Sequence, residues 1–206
     1  MIRMFSPPKI FVHEFISGGG WSEGDLPPGL VGEGYTILWA LLSDFQAWGA
    51  ARTITTLDTR LWSRRSQLPA DEILPLAPAE YQAGFASILS QCDAALVVAP
   101  ETGGLLARLS ALVVKAGLPL LGSSPKAVAL AGDKAICDRI FRKAGLPTPP
   151  TRRVRPSSAP QAAAELGYPV VVKPLDGVGC EGLSLVNSPD QLPPALEAVS
   201  KTSRRK

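Results

Sequence analysis

The chain opens with short runs of β-formers alternating with longer segments whose apolar residues recur at helical spacing. Lys9-Ile-Phe-Val-His-Glu-Phe15 reads as a strand ending at Ser17-Gly-Gly-Gly20. Leu30 to Trp48 follows, with Ile37, Leu38, Leu41, Leu42 and Phe45 on one face of a helix. Arg52 to Leu57 predicts a second strand, Glu72 to Leu76 a shorter one, and Glu80 to Gln91 a helix. Ala94-Ala-Leu-Val-Val-Ala99 lacks any polar position, the pattern of a strand buried on both faces. Gly104 to Ala116, closed by Gly117, is the next helix, and Leu118-Pro-Leu-Leu-Gly122 completes the alternation. Repeated β-α units of this kind predict a parallel sheet with helices on both faces.

The texture changes at Ser123. Ser124-Pro125 opens a helix with proline in its first turn, Gly132 closes it, and Asp133 is placed to cap the next. Ile136, Cys137, Ile140, Phe141 and Ala144 share one face of that second helix; Gly145 ends it and Pro147, Pro149 and Pro150 prevent its resumption. Arg152 to Arg155 reads as a short strand and Ala159 to Leu166 as a helix. Tyr168 to Pro174 reads as a strand, and Leu183 to Val186 as another. Pro189 to Ser200 reads as a last helix despite Pro193-Pro194 near its start. The expected organisation is an α/β domain over 1–122, a second over 123–200, and a basic tail over 201–206.

Composition narrows the function classes. The net charge of +3 invites a nucleic-acid reading, but the tail supplies four of the 21 Lys and Arg residues. The rest of the chain balances 17 basic against 18 acidic residues. A basic binding body needs its positive charge on a folded face, so a nucleic-acid partner is not expected. Cys92, Cys137 and Cys180 are odd in number and far apart, which makes neither a disulfide framework nor a zinc spacing and fits a reduced cytoplasm. The first residues form no signal peptide, and the most apolar stretch, Leu105 to Leu121, is interrupted by Arg108, Lys115 and Pro119, so no membrane partner is expected.

The chemistry gathers around one strand and one loop. Lys173 ends the apolar run Tyr168-Pro-Val-Val-Val-Lys-Pro174 and leads into Asp176-Gly-Val-Gly-Cys-Glu-Gly182. The glycines fit Gly-x-Gly-x-x-Gly, but a dinucleotide fingerprint must open a helix, and here an alternating strand-like segment follows. The pattern reads as a glycine flap between two strands, whose N–H groups approach phosphate oxygens without Cβ clashes. A lysine at a buried strand end suits a polyanion, although such a side chain can also snorkel to water, and three glycines can also make a plain hairpin turn. Lys134, directly after the capping Asp133, is by itself an ordinary first-turn lysine. Ser17, Gly18, Gly19 and Gly20, with Glu101 and Thr102, follow strands at the carboxyl edge where open α/β sheets bind ligands, so they are candidates to hold substrate. His13, the only histidine, reads as a packed residue rather than a base. Cys180 reads as a small filler rather than a nucleophile.

Asp133-Lys134, Lys143-Ala-Gly-Leu-Pro-Thr-Pro149, Gly167-Tyr-Pro-Val-Val-Val-Lys-Pro174 and the flap, in that order and spacing, resemble the ATP-grasp ligase superfamily. The preceding β-α region is similar to the domain that comes before the ATP-grasp core there. Phe15-Ile-Ser-Gly-Gly-Gly20 and Val98-Ala-Pro-Glu-Thr-Gly103 resemble the branch containing tyramine-glutamate ligase of methanofuran biosynthesis. The implied fold is a Rossmann-like parallel-sheet domain followed by an incomplete N-terminal ATP-grasp subdomain. The resemblance implies that ATP phosphorylates a substrate carboxylate and that an amine then displaces phosphate to give an amide. It places ATP on Lys134, Lys173 and the flap residues Gly177, Gly179, Cys180, Glu181 and Gly182. It also implies Mg²⁺, bound in the superfamily by acidic residues and an asparagine near the C-terminal end. Beyond Gly182 the only carboxylate side chains here are Asp190 and Glu197, and no Glu-x-Asn pair occurs, so no metal ligand and no catalytic residue is assigned. The expectation is a truncated or partial ligase with weak turnover or none, partnered by small carboxylate and amine substrates. A homodimer or a complementing C-terminal chain is the expected protein partner, and a non-catalytic nucleotide- or metabolite-binding module completed by a partner chain is the alternative.

Overall fold

The computed structural model describes residues 6–175, 179–180 and 182–202. The chain divides into two compact units: one runs to Ala99 and resumes over Arg108–Pro125, and the other takes Pro100–Ala107 together with the chain from Lys126 onward.

The first unit is built on four parallel strands, β1 (Lys9–Glu14), β2 (Arg52–Asp58), β3 (Glu72–Leu76) and β4 (Ala94–Val98), in the spatial order β3-β2-β1-β4. Ile10 pairs with Thr53 on one side of β1, and Phe11 with Ala95 on the other. β1 is central, and its alternate residues serve opposite faces. Ile10 and Val12 join Val31, Leu38 and Leu42 of α1 (Pro28–Trp48). On the other face, the rings of Phe11 and His13 lie 5.4 and 5.1 Å from that of Phe85 in α2 (Tyr81–Leu89). Helices therefore cover both faces, as the β-α alternation predicts. α1 stops where Gly49 adopts φ 66°, its N–H donating to the Phe45 carbonyl.

Two expectations for this unit are corrected. Only Ala94 and Ala95 of β4 are buried, while Leu96, Val97 and Val98 are half-buried. The reason is position: β4 lies at the margin of the sheet, outside central β1. Leu118–Gly122 forms no full strand. Its contribution is a single bridge of Leu120 to Ala95, with Ala95 N–H donating to Pro119 and Leu121 N–H donating to Ala95. Pro119 has no N–H with which to extend the ladder.

α3 (Leu105–Lys115) follows β4 in the chain; in the second unit, α4 (Pro125–Ala131) and α5 (Lys134–Lys143) precede α6 (Ala159–Leu166), the antiparallel pair β5 (Val170–Val172) and β6 (Ser184–Val186), and α7 (Leu192–Thr202). Val170, Val172 and Val186 face a small core with Ala159, Ala163, Leu192 and Ala195 of the two helices. Val171 and its cross-strand partner Leu185 stay exposed, as a pleated sheet with one covered face requires. Arg152–Arg155 is not a strand. It pairs with no strand among the described residues, and its tie to the start of α5 is Arg153, 4.0 Å from Asp133. Pro193 and Pro194 lie in the first turn of α7, where their missing N–H groups have no intrahelical acceptor. No helix among the described residues is long and apolar enough to cross a membrane.

Candidate functional site

The two lysines singled out in the sequence belong to the same end of the second unit. The Asp133 side chain accepts from the N–H groups of Ala135 and Ile136, both at 3.0 Å, which fixes the start of α5. One residue further, the backbone N–H of Lys134 donates to the carbonyl of Leu175 at 3.1 Å. Leu175 is two residues past Lys173, so a single backbone hydrogen bond ties the first turn of α5 to the exit of β5. Lys173 is exposed and Lys134 half-buried.

Electrostatics ties Lys173 to α5 as well. The Arg142 guanidinium beside Asp138 holds its carboxyl below the usual carboxylate range, and the Thr148 hydroxyl and the Lys173 charge act in the same direction. Asp138 accepts from Arg142 Nε at 3.1 and 2.9 Å and from Thr148 Oγ1 at 3.2 Å. Asp138 lies one turn beyond Lys134, the i, i+4 relation that puts both on one helix face. Sequence reasoning missed it; its spacing to Lys134 and Arg142 was the available signal.

The flap is described only in part. Gly179 and Gly182 have φ 65° and 67°, and Cys180 between them has φ 60°, a left-handed conformation uncommon for a residue with a side chain. Leu183 N–H closes the turn onto the Cys180 carbonyl at 3.1 Å. Gly177 and Glu181 lie outside the described residues. Glu101 and Thr102 open a turn in which Gly104 N–H donates to the Glu101 carbonyl at 2.9 Å. A Cβ built on Gly132 would stand 3.5 Å from that of Glu101, which places Glu101 next to the junction of α4 and α5.

Ser17–Gly20 occupies the carboxyl end of β1, next to that of β4, where Phe15 N–H donates to Val98 at 2.9 Å. The turn is packed inward. Glu14, itself buried, accepts from Ile16 N–H at 3.0 Å and from both the N–H and the hydroxyl of Ser17 at 2.7 Å. Burial pushes its carboxyl up, against those three bonds. Gly18 packs on the ring of His13, and Gly19, at φ 93°, sits on the Leu76 carbonyl. His13 Nδ1 meets Thr56 Oγ1 at 3.0 Å and Nε2 meets Tyr81 OH at 2.9 Å. Full burial lowers its pKa to about 3, so the ring is neutral, as a packed histidine should be.

The described residues contain no group of three or more His, Cys, Asp or Glu able to hold a metal ion. Two family models match consecutive stretches: residues 51–128 match a pre ATP-grasp 3 domain, and 133–205 the ATP binding domain of the carbamoyl-phosphate synthase L chain. The chain carries the ATP-grasp fold. It is 35% identical over 149 residues to a D-alanine–D-alanine ligase of Synechococcus sp. strain JA-2-3B'a(2-13), which covers 70% of this chain and 44% of that protein. It is 39% identical over 84 residues to the carbamoyl phosphate synthase large chain of Mycobacterium sp. strain JLS, covering 40% of this chain and 7% of that one. Among solved ATP-grasp structures, the biotin carboxylase domain of Hydrogenobacter thermophilus 2-oxoglutarate carboxylase, a dimer crystallised with MgADP, matches with TM-score 0.69 at 19% identity over 95% of this chain and 42% of that one. An ATP-grasp superfamily protein of Archaeoglobus fulgidus matches with TM-score 0.59 at 19% identity over 82% of this chain and 47% of that one. The chain spans half or less of the length of the curated ATP-grasp ligases it matches.

Proposed function

We propose that this chain grips the triphosphate of ATP in an ATP-dependent carboxylate–amine ligase. Lys134 and Lys173 contact phosphate oxygens, and the flap of Gly177, Gly179, Cys180, Glu181 and Gly182 folds over them. Relatives that are ATP-grasp ligases support the reaction class. The observation that supports the assignment of residues is the Lys134–Leu175 backbone hydrogen bond, which holds the start of α5 against the chain two residues past Lys173. A triphosphate concentrates several negative charges, and paired cations with backbone N–H donors are what such a ligand needs.

In this reading the γ-phosphoryl group passes to a substrate carboxylate, and an amine then displaces phosphate to form the amide. Glu101 and Thr102, beside the α4–α5 junction, supply contacts to the amine or acid. Ser17–Gly20, in the first unit, offers substrate its backbone rather than the Ser17 hydroxyl, which Glu14 already engages. Tyramine with glutamate is one substrate pair to assay, from the methanofuran-branch motifs. D-Alanine with itself is the other, from the 35% relative. The compartment is the reducing cytoplasm, in keeping with three free cysteines.

Calorimetry with MgATP tests the nucleotide site separately from turnover. Wild type should release binding heat, and Lys173→Ala should weaken affinity by about tenfold or more. Equal affinity in the two proteins sinks the assignment, whatever the outcome of the ligase assays.

A further inference from the structure

The chain that follows the Ile16–Gly20 turn is held by side chains. Arg60, two residues past β2, donates from Nη1 to the Gly24 carbonyl at 2.8 Å and from Nη2 to that of Trp21 at 2.7 Å. Its other donors serve Asp58: Nε reaches Oδ1 at 2.9 Å, Nη2 reaches Oδ2 at 2.7 Å, and the backbone N–H reaches Oδ1 at 2.8 Å. The Trp21 indole adds two bonds, Nε1 donating to the carbonyls of Glu23 at 2.9 Å and Asp25 at 3.1 Å. Four carbonyls of residues 21–25 thus accept from one guanidinium and one indole. Because β1 and β2 are parallel neighbours, their carboxyl ends adjoin, and Arg60 ties the chain leaving one to the end of the other.

The two sides of this grip differ in strength. The Asp58 side chain is wholly buried, whereas that of Arg60 is 33% exposed. Parting them would leave a carboxylate in the interior without its counter-charge, so Arg60 stays with Asp58. The carbonyls of Trp21 and Gly24 are neutral acceptors, and at an exposed segment water replaces a lost hydrogen bond at small cost. The weak side is therefore the one between guanidinium and carbonyls. Trp21 and Leu26 pack against the hydrophobic cluster of the first unit, and residues 22–25 between them are exposed. Gly24, at φ 64°, has nothing within 4 Å of a Cβ. The turn just before is the opposite case. Glu14 holds Ile16 and Ser17, and a Cβ on Gly18, Gly19 or Gly20 would collide with His13, the Leu76 carbonyl or Phe15, respectively.

We propose that residues 21–25 form a strap at the carboxyl edge of the sheet, latched by Arg60, which opens as a unit between its anchors Trp21 and Leu26 while Ile16–Gly20 stays fixed. Asp58 keeps the guanidinium in place in both states, so the strap closes again onto a donor fork that has not moved. Open parallel sheets bind ligands at this edge, which makes the strap a movable border of the substrate turn, a role that rests on the reading of Ser17–Gly20 given above. The latch itself is read without substrate or nucleotide and stands or falls apart from the ligase reading.

Hydrogen–deuterium exchange of the full chain, followed by mass spectrometry, measures the opening. Arg60→Lys keeps a charge for Asp58 but lacks the fork that spans two carbonyls. In it the amides of residues 22–26 should exchange about tenfold faster, and those of residues 10–18 at the wild-type rate. Arg60→Ala should open the strap further; methylguanidinium ion should then slow the exchange again, and ethylammonium should not. Trp21→Phe keeps a ring but loses the N–H, and should accelerate residues 22–26 by roughly fivefold. The proposal is overturned if residues 22–26 exchange at the wild-type rate in Arg60→Lys and Arg60→Ala. It is equally overturned if residues 10–18 accelerate in step with 22–26 in Arg60→Lys, since Arg60 then merely holds the whole unit together. Should Arg60→Ala unfold, Arg60→Lys and Trp21→Phe decide the matter.

Discussion

The backbone N–H of Lys134 and the carbonyl of Leu175, 3.1 Å apart, join the first turn of α5 to the chain that leaves β5. The bond spans 41 residues of sequence and sets the backbone of Lys134 against the chain just past Lys173. If both serve one polyanion, their contributions to binding depend on each other. Lys134→Ala and Lys173→Ala should each weaken ATP by roughly tenfold, and the double variant should lose less than the product, because residues sharing one ligand couple. Adenosine, which lacks phosphate, should bind all four proteins alike. Calorimetry over the double-mutant cycle measures this, and strictly independent losses would mean that the lysines serve different ligands.

The same helix start depends on Asp133, whose carboxylate accepts from two N–H groups at 3.0 Å and is almost wholly buried. Asp133→Ala removes the cap and should destabilise the second unit by about 1–2 kcal/mol. Asp133→Asn, which keeps an acceptor, should recover most of the loss. Thermal unfolding of the three proteins measures the difference. ATP affinity should fall in Asp133→Ala as well, since the first turn carries Lys134.

How much of this was legible in the sequence depends on the kind of interaction. Periodicity located β1, α1, β2 and α2, because an amphipathic pattern reports directly on which face is buried. It failed at Arg152–Arg155, where Val154 stands alone among arginines and no described strand lies alongside to pair with, and at Leu118–Gly122, where Pro119 limits pairing to one bridge. The candidate site divides in the same way. Lys173 and Asp133-Lys134 stood out by position in a motif, whereas Asp138 did not, because its part comes from Arg142, Thr148 and the charge of Lys173 meeting in space. Glu14 read as one more strand residue; that it is the acceptor on which the Ile16–Gly20 turn is built depends on the turn's path, which periodicity does not contain.

His13 provides a pH test of the first unit. Its pKa is about 3 in the fold and near 6.5 in an unfolded chain. Above pH 6.5 neither state holds the extra proton, and the buried ring costs nothing on that account. Between pH 6.5 and 3 the unfolded chain binds a proton that the fold refuses, so stability falls as pH falls through this window. Glu14 acts in the opposite sense: its carboxyl is raised by burial, so its contribution is present at low pH and declines as pH rises above the usual carboxylate range. The two opposing slopes overlap, and a variant separates them. His13→Gln should be less stable than wild type at neutral pH through loss of the Thr56 and Tyr81 contacts, but its stability should fall less steeply from pH 6 to about 4. Parallel stability–pH curves for the two proteins, from urea titrations, would show that His13 titrates normally.

Gly34 and Gly32, two residues apart in α1, should respond to the same substitution with opposite sign. Helix propensity alone favours alanine at both positions by about 0.5–1 kcal/mol. At Gly32 a Cβ meets nothing within 4 Å, so Gly32→Ala should gain about that amount. At Gly34 a Cβ would stand 2.7 Å from the carboxyl carbon of Glu14 and 3.0 Å from its Oε1. That carboxylate cannot swing aside without releasing Ile16 and Ser17, so Gly34→Ala must either strain the helix against the sheet or break the turn after β1. Overpacking of this kind costs about 1–3 kcal/mol, which outweighs the propensity gain and makes the variant less stable than wild type. Denaturant unfolding of both variants decides between packing and propensity, and a gain at both positions would mean that Glu14 is not held as described.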